Sequence, residues 1–397
     1  MTKKERIILF LLATLNFTHI LDFMIMMPLG NYLMPFFKIT PKQFSLLVAS
    51  YTIAASFSGF TAAFFIDSFD RKKALMVAFS GFLVATMACG FAPTYIILMV
   101  SRLVAGIFGG LIGAQVISII SDLFTYERRG RAMGAVMSAF AIASTIGIPL
   151  ALYLSNLFSW HAPFIGIASL GFLLIPFLIY YLPPVKSHIA EGVRPSINMT
   201  GFRQVFSRRD HIKALVFTGF IMFGHFVIVP FINPFLEFNL GYSKTMTPLI
   251  YLVGGIAAFF SANFLGRFSD KVGKMRVFRA CLFLSLPMVL IITNLITIQY
   301  WIVLVLFGAW FTVSTGRSVT SQAMVSNVAD PAYRGSFQNF NSSFQQAGTG
   351  LASLVAGMVV TENADGSIGN YAGLGLISIA ALLVALFLAR LIFSKSH

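Results

Sequence analysis

Charge is scarce in this chain. Only 10% of its 397 residues are Asp, Glu, Lys or Arg, whereas 57% are hydrophobic. A soluble domain carries about 25% charged residues, so an ordinary water-soluble protein is excluded. Cysteine is scarcer still. Cys89 and Cys281 are the only two, each inside an apolar run and in opposite halves. They build neither a disulfide framework nor a metal knuckle. No Gly-x-x-x-x-Gly-Lys-Ser/Thr loop is present, which argues against ATP-driven work. The first apolar run, from Ile7, is too long for a cleavable leader and lacks a small-residue cleavage site. The only long polar segment runs from about 184 to 210 and contains Pro184 and Pro195. It reads as a tether, too short for a soluble output domain. No Ser, His and Asp set has catalytic spacing, so an enzyme and a sensor are both disfavoured.

What the chain has is apolar length. Twelve runs suffice to cross a hydrocarbon core about 30 Å thick, which takes about 20 residues each. They are 7–36, 43–66, 74–92, 95–123, 132–157, 162–183, 211–238, 245–268, 277–297, 300–328, 335–360 and 371–392. Helices are expected, because backbone groups in lipid must be satisfied internally and the runs are too long for barrel strands. The fold class is therefore an all-α integral membrane protein. Residues 1–183 form one six-helix bundle, 184–210 the linker and 211–397 a second bundle. The 43 phenylalanines suit surfaces facing lipid or ligand.

Lys and Arg give the orientation. Of 28 such residues, 23 fall at the termini, in the central linker and in turns on one side. Among these are Lys3, Arg71, Arg128, Arg209, Lys274 and Arg390. Lys38, Lys42 and Lys244 fall on the other side. Both termini are expected in the cytoplasm, with the chain multi-pass in a bacterial inner membrane. The net charge of +15 is this bias. It is scattered over short turns, so no nucleic-acid partner is expected.

The chain also repeats itself. Ala63–Lys73 reads AFFIDSFDRKK and Gly266–Arg276 reads GRFSDKVGKMR. Asp67 and Asp270 are 203 residues apart, as are Arg71 and Lys274. Two charged hairpins at matching places mark a duplicated membrane protein. Parallel repeats of this kind frame a midplane site in many transporters.

These residues carry a resemblance to the major facilitator superfamily over nearly the whole chain. The branch that the sequence most resembles is the twelve-helix drug and sugar efflux proton antiporters. The family's Gly-x-x-x-Asp-x-x-Gly-Arg-Lys turn appears as Ala63, Asp67, Asp70, Arg71 and Lys72, with two glycines replaced. Its second copy keeps Gly266, Asp270, Gly273 and Lys274. The fourth-span signature appears as Arg102, Gly106, Gly109, Gly110 and Gly113, and the first-span signature as Leu21, Asp22 and Pro28. In the fifth span Gly147-Ile148-Pro149 stands for the antiporter motif. The resemblance implies a gating charge cluster of Asp67, Arg71 and Asp122, with Asp270 and Lys274 as the second copy.

Ionisable groups at membrane depth are functional candidates by default. Asp22 is the only acid well inside a span, and Arg102 lies at compatible depth. His225 follows Asp22 by the same 203 residues. The three are the expected proton-coupling set, with His225 facing Asp22 across a central path. Arg317 reads as a snorkelling side chain. His19, Asn16, Gln115, Asn233, Gln338, Asn341 and Gln345 are candidates for a substrate cavity, and Asn263 is a weaker one. Gln338, Asn341, Ser342 and Gln345 share one stripe of the eleventh span. Helix–helix hydrogen bonding is the competing reading for these amides.

The expected function is secondary export of a small amphipathic or apolar compound by proton antiport. The expected partners are that substrate, protons and the bilayer, with the protein a monomer and without a cofactor. Two rivals keep the fold: a divalent metal exporter using His19, Asp22 and His225, and an uptake carrier or uniporter. No resident metal is expected.

Overall fold

The computed structural model describes residues 2–64, 69–185, 199–329 and 334–393. Every long element is helical, and capping residues set the starts. In α1 (Lys3–Ile25) Thr2 and Glu5 form a reciprocal capping box, and Thr40 with Gln43 does the same for α3 (Pro41–Ala62). α2 (Gly30–Phe37) lies between these two. Asp70 caps α4 (Arg71–Gly90) and Thr94 caps α5 (Tyr95–Leu123). α6 (Tyr126–Ile142), α7 (Ile148–Leu157) and α8 (His161–Tyr181) complete the first bundle.

A short linker helix, α9 (Met199–Phe206), leads to the second bundle. That bundle holds α10 (Arg209–Phe226), the single turn α11 (Ile232–Pro234), α12 (Thr247–Val272), α13 (Lys274–Thr293) and α14 (Tyr300–Val325). It ends with α15 (Arg334–Val359), a small antiparallel hairpin of β1 (Thr361–Glu362) and β2 (Ile368–Gly369), and α16 (Tyr371–Phe393).

Eleven spans among the described residues are long and apolar enough to cross a membrane. The twelfth, α15, is long enough but too polar, because it carries Gln338, Asn339, Asn341, Gln345 and Gln346. It sits between α3 and α10, where protein shields much of that polar surface from lipid.

Three spans that read as continuous in the sequence are broken or bulged, each at a proline. Pro28 follows the end of α1, Pro230 follows the end of α10, and Pro149 follows the π-helical turn Ala143–Gly147 that joins α6 to α7. A proline lacks the N–H for the i−4 bond, and its ring clashes with that carbonyl. The i−4 partner of Pro230 is Phe226, the last residue of α10. At Pro149 the helix absorbs the defect as a π-bulge instead. Asp22 lies just before the break in α1, and His225 just before the break in α10.

The bundles meet along two seams. α3 lies on α15, where a Cβ at Gly350 would fall 2.8 Å from Thr52 Oγ1 and one at Gly357 2.4 Å from Ser45 Cβ. α12 lies on the π-bulge, where a Cβ at Gly255 would fall 2.5 Å from Thr145 Cα. Within the first bundle Gly106 lets α5 touch α3: a Cβ there would lie 2.3 Å from the Tyr51 carbonyl oxygen. Gly113 of the same signature faces open space. We call the face where α1 starts and α16 ends the terminal face, and the opposite one the far face.

Candidate functional site

Asp22 and Arg102 are brought together. Arg102 Nη1 donates to Asp22 Oδ2 at 2.7 Å, with the side chains 1% and 0% exposed. The guanidinium also lies 4.4 Å from the centroid of the Tyr51 ring, a favourable cation–π geometry. The Thr86 hydroxyl of α4 faces the carboxylate. His19 meets Phe82 edge-on at 5.6 Å and stands beside Tyr51 over Gly109. This nest is polar and incompletely bonded. Asp22 Oδ1, Arg102 Nε, Tyr51 Oη, Thr86 Oγ1 and both His19 ring nitrogens are buried without a hydrogen-bond partner. Buried polar atoms are nearly always partnered, so a set of orphans in one place makes this nest a candidate site.

His225 does not face Asp22. It points into its own bundle and stacks on Trp310 of α14, with centroids 5.0 Å apart and planes 18° apart. The next residue in each copy makes the contact instead: Phe23 and Phe226 meet across the bundle boundary at 6.0 Å. One residue turns a helix by about 100°, which separates the side that faces the partner bundle from the side that faces inward. The His19, Asp22, His225 set is therefore not assembled, and no metal-ligating group of three occurs among the described residues.

Arg317 does not snorkel. It is 1% exposed and donates through Nη1 to Ser285 Oγ of α13 at 3.0 Å. Its position about 12 Å along α14 from Val325 is too deep for its head to reach water on that packed side.

The amide candidates separate into ties and one seam residue. Asn16 Nδ2 donates to the Val136 carbonyl at 3.3 Å, tying α1 to α6. Thr218 donates to Asn341 at 2.9 Å, and Gln345 donates to Gln322 at 3.2 Å. Asn263 is exposed and bonds back to the Phe259 carbonyl. Gln338 is half-buried. Gln115 is fully buried with an unpartnered Oε1, and it lines a narrow crevice with Gly59, Gly110 and Asn339 between α3, α5 and α15. The structure does not gather these residues around one open chamber.

Asn233 acts on the far face. Its amide donates to the Pro28 carbonyl at 2.8 Å and accepts from Tyr251 Oη at 3.1 Å. The two helix breaks thus bond to each other across the boundary. Beside them lies a residue that the sequence reading passed over. Glu237 accepts a short hydrogen bond from Asn31 Nδ2 and pairs with Lys244 at 3.3 Å. Lys244 also donates to the Asn31 carbonyl at 3.3 Å and sits 5.0 Å from the Tyr32 ring, whose hydroxyl donates to Asn156 at 2.6 Å. The signal was available: Glu237 is the only acid between Asp210 and Asp270.

On the terminal face Arg71 Nε donates to Asp122 Oδ2 at 2.6 Å, joining α4 to α5. Asp67, the third member of the expected cluster, lies outside the described residues. Asp70 accepts from the Val185 N–H, and Val185 accepts from the Arg71 N–H, so the end of the first bundle docks on this turn. The second copy is looser, with Asp270 and Lys274 3.8 Å apart and Asp270 68% exposed. Phe60 of α3, Phe64 of the turn after it, Phe340 of α15, and Phe202 and Phe206 of α9 form an aromatic cluster over the α3–α15 seam. Gly147 is packed against Leu21 and Phe17 of α1, and Pro149 enters the first turn of α7.

Comparison with known proteins agrees with this architecture. Residues 12–353 match the profile of the Major Facilitator Superfamily. The uncharacterized MFS-type transporter YceJ of Bacillus subtilis is 22% identical over 344 residues, covering 85% of each chain. A probable sugar efflux transporter of Helicobacter pylori is 22% identical over 361 residues, covering 90% of this chain and 88% of the relative. Among solved structures, an inward-facing, unoccupied bacterial homolog of the human lysosomal transporter Spinster superposes with a TM-score of 0.76. It shares 14% identity and covers 99% of this chain and 97% of the other. The nucleoside transporter NupG matches with a TM-score of 0.73 at 16% identity, covering 97% of this chain and all of the other. These two likenesses concern the fold alone. An all-helical chain with eleven candidate spans among the described residues, a family profile over most of its length and a matching fold lead to one statement: this chain belongs to the Major Facilitator Superfamily of secondary transporters, and it is a multi-pass membrane protein, not an enzyme.

Proposed function

We propose that the chain exports a small amphipathic or apolar compound by proton antiport, with Asp22 as the proton carrier. The observation that carries this reading is the Asp22–Arg102 pair. It is fully buried, one carboxylate oxygen is unpartnered, and the pair sits just before the break in α1. A buried ion pair gains little net stability over apolar packing, whereas breaking one is costly. A pair kept at membrane depth therefore suits a switch better than a strut. When Asp22 takes a proton its charge is lost and its hold on Arg102 weakens. Arg102 then turns to another acceptor, and the energy difference between the two bundle arrangements changes. Substrate and proton would compete for the same polar nest, which is the requirement for exchange.

The printed name of the Helicobacter pylori relative, a probable sugar efflux transporter, supports export as the direction. The short polar inventory around the nest supports an uncharged or weakly polar cargo. The basic bias of the terminal face supports both termini in the cytoplasm, which makes the far face the outside. The far-face contacts through Glu237 and Asn233 then form the outer gate. The protein works as a monomer in this reading.

Flux in proteoliposomes tests it. A pH gradient imposed in the export sense should drive uphill movement of the cargo, and an ionophore that collapses the gradient should abolish it. Downhill flux indifferent to the gradient would mean a uniporter and would end the antiport reading.

A further inference from the structure

The second bundle holds a polar nest of its own, and its charge does not balance. Trp310, Ser314, Arg317 and Ser321 follow one another at intervals of four, three and four residues, and all four are buried. This spacing puts them on one stripe of α14. The stripe faces α10 and α13: His225 stacks on Trp310, and Arg317 bonds Ser285. Three of its polar groups are buried without partners, namely Arg317 Nε, Ser314 Oγ and His225 Nδ1. In the first bundle the buried cation Arg102 has Asp22. Arg317 has no carboxylate within ion-pair distance among the described residues. The described acids of the second half lie elsewhere: Asp210 and Asp270 are exposed, Glu237 serves the far face, and Glu362 and Asp365 are in the exposed hairpin.

A guanidinium keeps its proton in proteins and offers five donors and no acceptor. Buried at membrane depth, it needs an opposite charge or an aqueous path. One serine hydroxyl supplies neither. The neighbouring imidazole can donate but carries no negative charge, and the unpartnered Ser314 hydroxyl can donate as well, whereas Ser285 donates to the Leu282 carbonyl at 2.7 Å and holds Arg317 in place. Arg317 Nε, Ser314 Oγ and His225 Nδ1 can therefore face an anion, and none provides one. The stripe is fully buried, with Trp310 stacked on His225 at one end, so the missing anion is compact.

We propose that Arg317, Ser314 and His225, with Ser285 positioning the guanidinium, form a binding site for a compact monovalent anion, either a halide from solution or the carboxylate of a small organic acid. The site is separate from the Asp22 nest and independent of proton coupling there. The anion completes the charge of the second bundle, so its binding favours the folded, closed arrangement of α10, α13 and α14.

The test is thermal unfolding of the purified full chain at constant ionic strength. Sodium isethionate, whose anion is too large for the nest, is exchanged stepwise for sodium chloride or sodium acetate. The wild type should melt at rising temperature with a saturable dependence on one of the two anions. Chloride alone acting identifies a solution halide, and acetate alone identifies a carboxylate. Arg317→Gln should lose the dependence. Should that variant not fold, Ser285→Ala and Ser314→Ala, which keep the cation, should each raise the half-saturating concentration about tenfold. A wild-type melting temperature indifferent to both anions would overturn the proposal. So would an anion response that Ser285→Ala and Ser314→Ala leave unchanged.

Discussion

Glu237 closes the far face, and its removal has a magnitude that the contacts set. Its carboxylate takes a hydrogen bond from Asn31 of α2 and pairs with Lys244 at 3.3 Å, with Lys244 38% and Glu237 18% exposed. A pair this open to solvent contributes about 0.2–1 kcal/mol. A hydrogen bond to an ionised acceptor contributes about 1.5–3 kcal/mol, and a neutral one about half of that. Glu237→Gln keeps a neutral acceptor for Asn31 and should weaken the closed state by about 1–2 kcal/mol. Glu237→Ala loses both contacts and should weaken it by about 2–4 kcal/mol. Every 1.4 kcal/mol is tenfold, so the open far face should gain roughly 5- to 30-fold in Gln and roughly 30- to several-hundred-fold in Ala. Spin labels on Lys42→Cys and Thr245→Cys, both exposed and on opposite bundles, report the separation. Cys89 and Cys281 are buried and should stay unlabelled. Distance distributions that do not change in Glu237→Ala, or that change equally in both variants, would refute the assignment of Glu237 as the latch.

Other outcomes follow from single contacts. Gly106→Ala forces a methyl to within 2.3 Å of the Tyr51 carbonyl oxygen, overpacking that costs about 1–3 kcal/mol, and it should lower the melting temperature without changing the pH dependence of flux. Arg71→Ala and Asp122→Asn should each destabilise the chain, and the double variant should cost less than their sum, because both remove one contact of 2.6 Å; full additivity in that cycle would show that the two do not interact. Asn233→Ala removes the bond to the Pro28 carbonyl and strands the Tyr251 hydroxyl. It should therefore widen the same Lys42–Thr245 distance as Glu237→Ala does.

The sequence was legible where a residue's role depends on depth or order. Span positions, the duplicated hairpin and the compatible depth of Asp22 and Arg102 follow from apolar length and from charge that cannot be left in lipid; that the two pair is seen only in the structure. The prolines at 28, 149 and 230 are plain in the sequence, yet an apolar run gives no sign of whether a proline ends, bulges or merely bends a helix. The direction of a side chain around its helix was the least legible feature. The 203-residue offset correctly paired Asp22-Phe23 with His225-Phe226, and the structure puts the phenylalanines, not the ionisable residues, at the bundle boundary. Arg317 read as a snorkelling side chain near the inner end of its span, whereas its depth and its packing against α13 close that route. Asn233 read as a cavity residue and Glu237 escaped altogether, because their partners across the boundary come from the other half, more than 200 residues away in sequence.

The central claim is that Asp22 carries the coupled proton, and Asp22→Asn tests it most directly. The substitution mimics the protonated acid and keeps an oxygen for Arg102 to bond. Flux of the cargo into proteoliposomes is measured twice for this variant, once under an imposed pH gradient and once as gradient-free exchange of labelled for unlabelled cargo. The account predicts that exchange persists while gradient-driven accumulation disappears. Accumulation by Asp22→Asn equal to that of the wild type would contradict it.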